Sequence, residues 1–79
     1  MKVRIKLFSV LREYVQDYNP QSGVEAELKD GATVADLLRH LKIPISKAPV
    51  VTCKSHIMNT ADIIQKDSNI EIFQTVAGG

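Results

Sequence analysis

The sequence predicts an α+β domain in which one main helix crosses one face of a mixed sheet of four or five strands. Three observations lead to this prediction. Short segments of alternating apolar and polar residues occur near both ends, one apolar stripe with helical spacing occurs between them, and turn-forming residues separate the segments. A length of 79 residues favours a single domain.

The first strand is predicted at residues 2–7. Val3, Ile5 and Leu7 alternate with basic residues, which is typical of a strand with one buried face. Phe8 falls on the polar side of that alternation. The apolar residues that follow lie three to four positions apart, which predicts a short helix that Ser9 would cap.

A second strand is predicted after a turn. The run Asn19-Pro20-Gln21-Ser22-Gly23 consists of turn-forming residues. Val24, Ala26 and Leu28 then alternate with charged residues, so we expect this strand to pair antiparallel with the first. Asp30-Gly31 ends it.

The main helix is predicted from its cap and its apolar stripe. Thr33 and Asp36 have the spacing of a capping box, with aspartate in place of the usual glutamate. Apolar residues then follow at i, i+3, i+4 and i+7, which gives one face able to cover a sheet. These residues are Val34, Leu37, Leu38 and Leu41. Pro44 prevents the helix from continuing much further.

Two or three further strands complete the predicted order. The run Val50-Val51-Thr52 is β-prone, and Lys54-Ser55-His56 would turn it back into Ile57-Met58. The last strand is predicted over residues 70–75, after a turn at Asp67-Ser68-Asn69. This strand and the first have the clearest apolar alternation, so we expect them to lie side by side in the centre of the sheet.

Composition excludes several classes of function. Ten basic and nine acidic residues give a formal net charge of +1, which offers no electrostatic case for nucleic acid as the main partner. The lone Cys53 excludes an internal disulfide and a metal or iron–sulfur site built from cysteines, and it indicates a reducing, cytoplasmic location. No stretch approaches the roughly 20 apolar residues of a membrane span, so no membrane partner is expected.

The most informative segment is Ala77-Gly78-Gly79, directly after the predicted last strand. Glycine lacks Cβ, so two in succession suit a tail that enters the narrow active site of a partner enzyme. A free α-carboxylate is ionised at neutral pH and is a poor acyl donor until it is activated. We therefore expect a folded domain over residues 1–75 and a flexible tail over residues 76–79 whose terminal carboxylate is the working part.

The order of elements, the segment Asp30-Gly31-Ala32-Thr33-Val34-Ala35-Asp36-Leu37-Leu38 and the ending Phe73-Gln74-Thr75-Val76-Ala77-Gly78-Gly79 resemble the MoaD/ThiS family of ubiquitin-like sulfur carriers. The resemblance covers essentially the whole chain and implies the β-grasp (ubiquitin-like) fold. In that family an E1-like adenylating enzyme of the MoeB/ThiF type uses MgATP to form an acyl-adenylate at the last glycine. Sulfur then displaces AMP and leaves a thiocarboxylate.

By this resemblance Gly79 is the site of adenylation and of the thiocarboxylate, with Gly78 beside it. The catalytic groups would belong to partner enzymes. The resemblance therefore implies a carried substrate that is not itself an enzyme and that binds no metal or cofactor.

Two pathways stay open within the resemblance. The segment Leu7-Phe8-Ser9-Val10-Leu11-Arg12-Glu13 resembles the small subunit of molybdopterin synthase, which implies the large subunit (MoaE type) as a partner. The ending Phe73-Gln74-Thr75-Val76-Ala77 is closer to the thiazole-pathway carrier, which implies thiazole synthase. We favour molybdopterin (molybdenum or tungsten cofactor) biosynthesis, because the extra helix near the amino end is the larger feature.

Two alternatives come from other classes of function. One is a covalent modifier that is joined to target lysines through its diglycine. The other is a ubiquitin-like binding module with an inert tail.

A partner surface is predicted from apolar residues that break the strand alternation. Phe8 and Phe73 each have the opposite parity to the core residues of their strand, so both would lie on the sheet face away from the helix and meet there with Ile57. The alternative is that they pack against the chain's own loops. With the positions that the resemblance adds, the predicted partner-binding residues are Phe8, Arg12, Ile57, Phe73, Val76 and Ala77.

Overall fold

The computed structural model describes residues 1–47 and 49–74. Within these residues the elements are β1 (Lys2–Leu7), β2 (Val24–Glu27), α1 (Val34–His40), β3 (Pro49–Cys53), β4 (His56–Met58) and β5 (Asn69–Gln74). Two 3₁₀ helices cover Ser9–Tyr14 and Ile45–Lys47. This order of elements is the one that the sequence predicted.

The strands form one mixed sheet in the order β2-β1-β5-β3-β4. β1 and β5 are parallel, with Ile5 opposite Ile70 and Leu7 opposite Ile72. The other neighbouring strands are antiparallel. The expected central pairing of the first and last strands is therefore confirmed, as is the β-grasp arrangement of a mixed sheet with one main helix.

The core lies between α1 and one face of the sheet. β1 alternates strictly between exposed and buried residues, as its sequence pattern predicted. Leu37 and Leu38 of α1 are buried together with Ile5 and Ile72 of the two central strands. Among the described residues the buried positions are all hydrophobic.

The amino end of α1 has the predicted capping box. The Thr33 hydroxyl oxygen accepts from the Asp36 N–H at 3.3 Å, and an Asp36 carboxylate oxygen accepts from the Thr33 N–H at 2.9 Å. The backbone N–H of Val34 donates to the Asp62 carbonyl at 3.0 Å. These bonds satisfy donors that a helix start otherwise leaves without partners.

The carboxyl end of α1 is closed by a left-handed residue at Lys42, whose φ is 61°. The N–H of Ile43 donates to the Leu38 carbonyl at 2.9 Å, and the N–H of Lys42 donates to the Arg39 carbonyl at 3.1 Å. This pair of bonds is a Schellman motif, in which glycine usually occupies the left-handed position. The helix therefore ends before Pro44, as predicted.

The segment after β1 differs from its prediction, because Ser9 is not a helix cap. The segment is a 3₁₀ helix whose N-cap is Phe8, and no side chain caps it. Pairing with β5 continues through Phe8, whose N–H donates to the Ile72 carbonyl at 3.2 Å. The chain then leaves the strand through Ser9 in the left-handed region, at a φ of 54°.

The turn between β3 and β4 consists of Lys54 and Ser55 alone, because His56, which was predicted as part of the turn, already pairs with Cys53 as the first residue of β4. Both residues have positive φ, 53° and 67°. A two-residue hairpin turn of this kind matches the right-handed twist of the strands. Cys53 is half-buried at the end of β3, opposite His56 across the turn.

We predict that Gly23→Ala destabilises the fold more than Gly31→Ala does. Both glycines have positive φ, 72° and 86°, so alanine is strained at either site. A Cβ on Gly23 would also lie 2.5 Å from the backbone oxygen of Ile5, whereas a Cβ on Gly31 meets nothing within 4 Å. Urea unfolding should show that Gly31→Ala lowers the free energy of unfolding by about 1 kcal/mol. Gly23→Ala should lower it by about 1–3 kcal/mol more. Equal losses would contradict this account.

We predict that the contribution of Asp36 to stability depends on pH. The hydrogen bond from the Thr33 backbone, followed by the one from the Arg39 side chain, lowers the pKa of the Asp36 carboxyl below its usual value. Such a group stabilises the fold fully above the ordinary aspartate pKa, and the contribution is lost as the pH falls through the lowered value. The difference in unfolding free energy between wild type and Asp36→Asn should shrink as the pH is lowered from neutral to below the ordinary aspartate pKa. A difference that stays constant over this range would refute the prediction.

Candidate interaction site

Phe8 and Phe73 stack on each other on the sheet face opposite α1. Their ring centroids lie 4.6 Å apart and the ring planes are 14° from parallel. Ile72, the neighbour of Phe73, is fully buried on the core face, so Phe73 points the other way. Both phenylalanines are half-buried. The predicted meeting of the two aromatic residues on this face is therefore seen.

Val50 of β3 extends this aromatic pair and was missed by the sequence reasoning. It lies opposite Phe73 in the antiparallel β3–β5 ladder, and paired residues share a sheet face. A signal was present in the sequence, because Val50 and Val51 are consecutive apolar residues. Val51 is only 2% exposed on the core face, so Val50 must point outward.

Ile57 lies on the same face but is separated from the aromatic pair. It is on the edge strand β4, opposite Thr52, and it is 73% exposed. Thr52 is in turn opposite Glu71, and its hydroxyl lies 3.2 Å from the Glu71 carboxylate. The cross-strand neighbours of Ile57 are therefore polar residues and not the two phenylalanines.

Arg12 lies in the 3₁₀ helix that begins after Phe8, and it is exposed. Its Nε donates to the Leu7 carbonyl at 3.0 Å, and its guanidinium lies 5.9 Å from the centre of the Tyr18 ring. The Tyr18 hydroxyl accepts from the Leu7 N–H at 2.8 Å. Sequence reasoning had no signal for Tyr18, because the contact joins residues that are far apart in the chain.

The basic residues of β1 lie next to acidic residues on the neighbouring strands, which offset their positive charge. Arg4 lies 3.6 Å from Glu25, and Lys6 is opposite Glu71. Cross-strand pairs of opposite charge are a favourable arrangement on a solvated face. Charge is thus compensated along β1, and the apolar residues at its end stand out as the distinctive part of this face.

The remaining predicted site residues, Val76, Ala77, Gly78 and Gly79, lie outside the described residues. The described chain contains no group of three or more His, Cys, Asp or Glu side chains placed to hold a metal ion. No helix in residues 1–47 or 49–74 is long and apolar enough to cross a membrane.

Comparison with known proteins gives one family and one fold. The family model described as the ThiS family matches residues 5–79. The crystal structure of SAMP1 from Haloferax volcanii superimposes with a TM-score of 0.71 at 18% identity and covers 100% of both chains. A crystal structure of H. volcanii small archaeal modifier protein 1 gives a TM-score of 0.72 at 18% identity, over 95% of this chain and 98% of that one. At this identity the structural likeness concerns the fold alone. A search of curated proteins finds no match.

ThiS-family proteins generally work with E1-like activating enzymes, and we predict that Phe73→Ala weakens binding to such an enzyme more than it weakens folding. Aromatic anchors on a protein surface carry much of the energy of an interface, so the loss should be about 2 kcal/mol or more of binding free energy. The matched variant is Ile72→Ala, which changes the neighbouring residue on the buried face. It should cost about 2–5 kcal/mol of folding free energy. Titration calorimetry and thermal unfolding separate the two effects, and a large fall in Tm for Phe73→Ala with unchanged affinity would contradict the prediction.

Proposed function

This chain belongs to the ThiS family, and from that premise we propose that it carries sulfur as a thiocarboxylate on Gly79. The observation that supports the proposal most directly is that the family match runs through the diglycine and not only through the folded domain. The proposal divides the chain into a β-grasp domain over residues 1–75 and a tail over residues 76–79. It places the chain in the cytoplasm.

The chemistry requires an activation step that this chain does not supply. The Gly79 carboxylate attacks the α-phosphate of MgATP in the partner enzyme, which gives an acyl-adenylate and releases pyrophosphate. Hydrosulfide then attacks the acyl carbon, the bond from that carbon to the AMP oxygen breaks, and AMP leaves. The product is a thiocarboxylate whose sulfur is nucleophilic and is held on a protein.

The folded domain supplies the surface by which the partner enzyme would bind the chain. Phe8, Phe73 and Val50 supply an apolar surface that a partner would cover, and Arg12 lies beside it. A partner that covers Phe73 binds the strand that leads into the tail. Docking on this face would therefore bring the carboxylate toward the partner's adenylation site.

For the acceptor we propose molybdopterin synthesis, with the synthase large subunit as the second partner. The supporting feature is the helical segment Ser9–Tyr14 directly after β1, which is the part of the chain that resembles the synthase small subunit. The thiazole pathway is the alternative acceptor. Presenting the thiocarboxylate form to each acceptor enzyme in turn distinguishes the two.

Protein modification is the second candidate function. It is favoured by a structural neighbour that is named as a modifier, H. volcanii small archaeal modifier protein 1. In this case a lysine ε-amine would attack the carbon of the acyl-adenylate, the bond from that carbon to the AMP oxygen would break, and AMP would leave as the isopeptide bond forms. Lysine-linked conjugates on a denaturing gel, absent after deletion of Gly79, would support this function.

We predict that incubation with a family adenylating enzyme, MgATP and sulfide exchanges one oxygen of the chain for one sulfur. Intact-mass spectrometry measures the exchange directly. A variant that lacks Gly79 is the control. It should show no change, because its terminal carboxylate lies one residue short of the position that the enzyme would activate. If an adenylating enzyme that is active on its own carrier leaves the mass of this chain unchanged, the sulfur-carrier proposal fails.

A further inference from the structure

The last residue of β1 extends beyond the end of its neighbour β2. The N–H of Arg4 donates to the Ser68 carbonyl and the N–H of Phe8 donates to the Ile72 carbonyl, so the even-numbered residues of β1 bond toward β5. The main-chain groups of odd-numbered residues therefore point toward β2. The β1–β2 ladder ends at Ile5 opposite Val24, which leaves Leu7 without a strand on that side.

Two side chains take the place of the missing strand at Leu7. The Tyr18 hydroxyl accepts from the Leu7 N–H at 2.8 Å, and the Arg12 Nε donates to the Leu7 carbonyl at 3.0 Å. Leu7 is fully buried, and a buried main-chain group without a partner is costly. We name this arrangement of Leu7, Arg12 and Tyr18 the strand-end clamp.

The clamp fixes the residue that carries the aromatic pair. Phe8 directly follows Leu7, its own N–H is bonded to β5, and Ser9 after it turns away at a positive φ. The main chain is therefore held toward β5 at Phe8 and on the opposite side at Leu7. This restraint holds the Phe8 ring against Phe73 at 4.6 Å.

We propose that Arg12 and Tyr18 are positioning residues for the Phe8–Phe73 pair, and that the clamp sets the affinity of this face for the adenylating partner. The proposal rests on the proposed function for the identity of that partner. A surface that is held in its bound geometry loses less conformational entropy on association. Loosening the clamp should therefore weaken docking while the rate of adenylation in the bound complex stays the same.

Tyr18→Phe tests this role, because it removes one hydroxyl acceptor and keeps the ring. The matched control is Tyr14→Phe, since Tyr14 is also a half-buried tyrosine but has no side-chain hydrogen bond among the described residues. The first readout is the NMR ring-proton shifts of Phe8 and Phe73. The second is ATP–pyrophosphate exchange by a MoeB/ThiF-type enzyme, with this chain as the varied substrate.

For Tyr18→Phe we expect displaced ring signals and a KM for the chain that is raised roughly tenfold, with kcat unchanged. Tyr14→Phe should change neither readout. Unmoved ring signals in Tyr18→Phe overturn the proposal, and so do displaced signals with an unchanged KM. A wild-type chain that supports no exchange refutes the proposed function, whereas the ring shifts still decide whether the clamp positions the pair.

Arg12→Lys provides the second variant if Tyr18→Phe does not fold. Lysine keeps the positive charge that a partner would meet but lacks the Nε–H donor that bonds to Leu7. The same displacement of the Phe8 and Phe73 ring signals is expected. Ring signals at their wild-type positions in a folded Arg12→Lys variant overturn the proposal.

Discussion

β1 and β5 lie side by side at the centre of the sheet, and their parallel pairing joins the two ends of the described chain. The register of this pairing decides which residues form the core and which form the outer face. Successive residues of a strand point to opposite faces, so a slip of one residue in β5 would expose Ile72 and bury Phe73. The aromatic pair and the core beneath it therefore both depend on one strand pairing.

The other elements contribute to stability by extending this sheet or, in the case of α1, by covering one of its faces. α1 is only seven residues long, and an isolated helix of that length is unstable in water. The capping box, the Schellman motif and the buried leucines supply the stability that so short a helix lacks by itself. Several turns use non-glycine residues with positive φ, such as Lys42, Lys54 and Ser55. Isolated non-glycine residues disfavour this conformation, and here the hydrogen bonds of the Schellman motif and the pairing across the β3–β4 hairpin fix it.

The arrangement suits a protein that is a substrate of other enzymes. In the proposed function the reacting atom lies in the tail, whereas recognition depends on the outer face of the sheet. Phe73 and the tail belong to the same stretch of chain, and Phe8 supports Phe73 from the neighbouring strand. Contacts made on the sheet would thus govern how well the tail is presented. In the proposed strand-end clamp, Arg12 and Tyr18 act through their hydrogen bonds to Leu7, in addition to any effect of their charge or packing.

The sequence by itself determined the elements and the parity of their residues. The alternation of Val3, Ile5 and Leu7, and the spacing of Thr33 and Asp36, are local patterns, and local patterns follow from the geometry of strands and helices. For the same reason the outward positions of Phe8 and Phe73 were predicted correctly. Within the predicted partner surface, the separation of Ile57 from the aromatic pair depended on strand register, which no local pattern contains.

Only the tertiary structure decided how distant segments meet. It placed Val50 beside Phe73 and the Tyr18 hydroxyl on the Leu7 N–H, and it made Ser9 a left-handed exit from β1 where a cap was predicted. Each of these results depends on where a neighbouring strand begins or ends. Leu7 needs side-chain partners because β2 stops short of it, and Ser9 turns because β5 still pairs with Phe8. Such facts arise from the assembled sheet, since a hydrogen-bonding group acquires its partner only when the rest of the chain is in place.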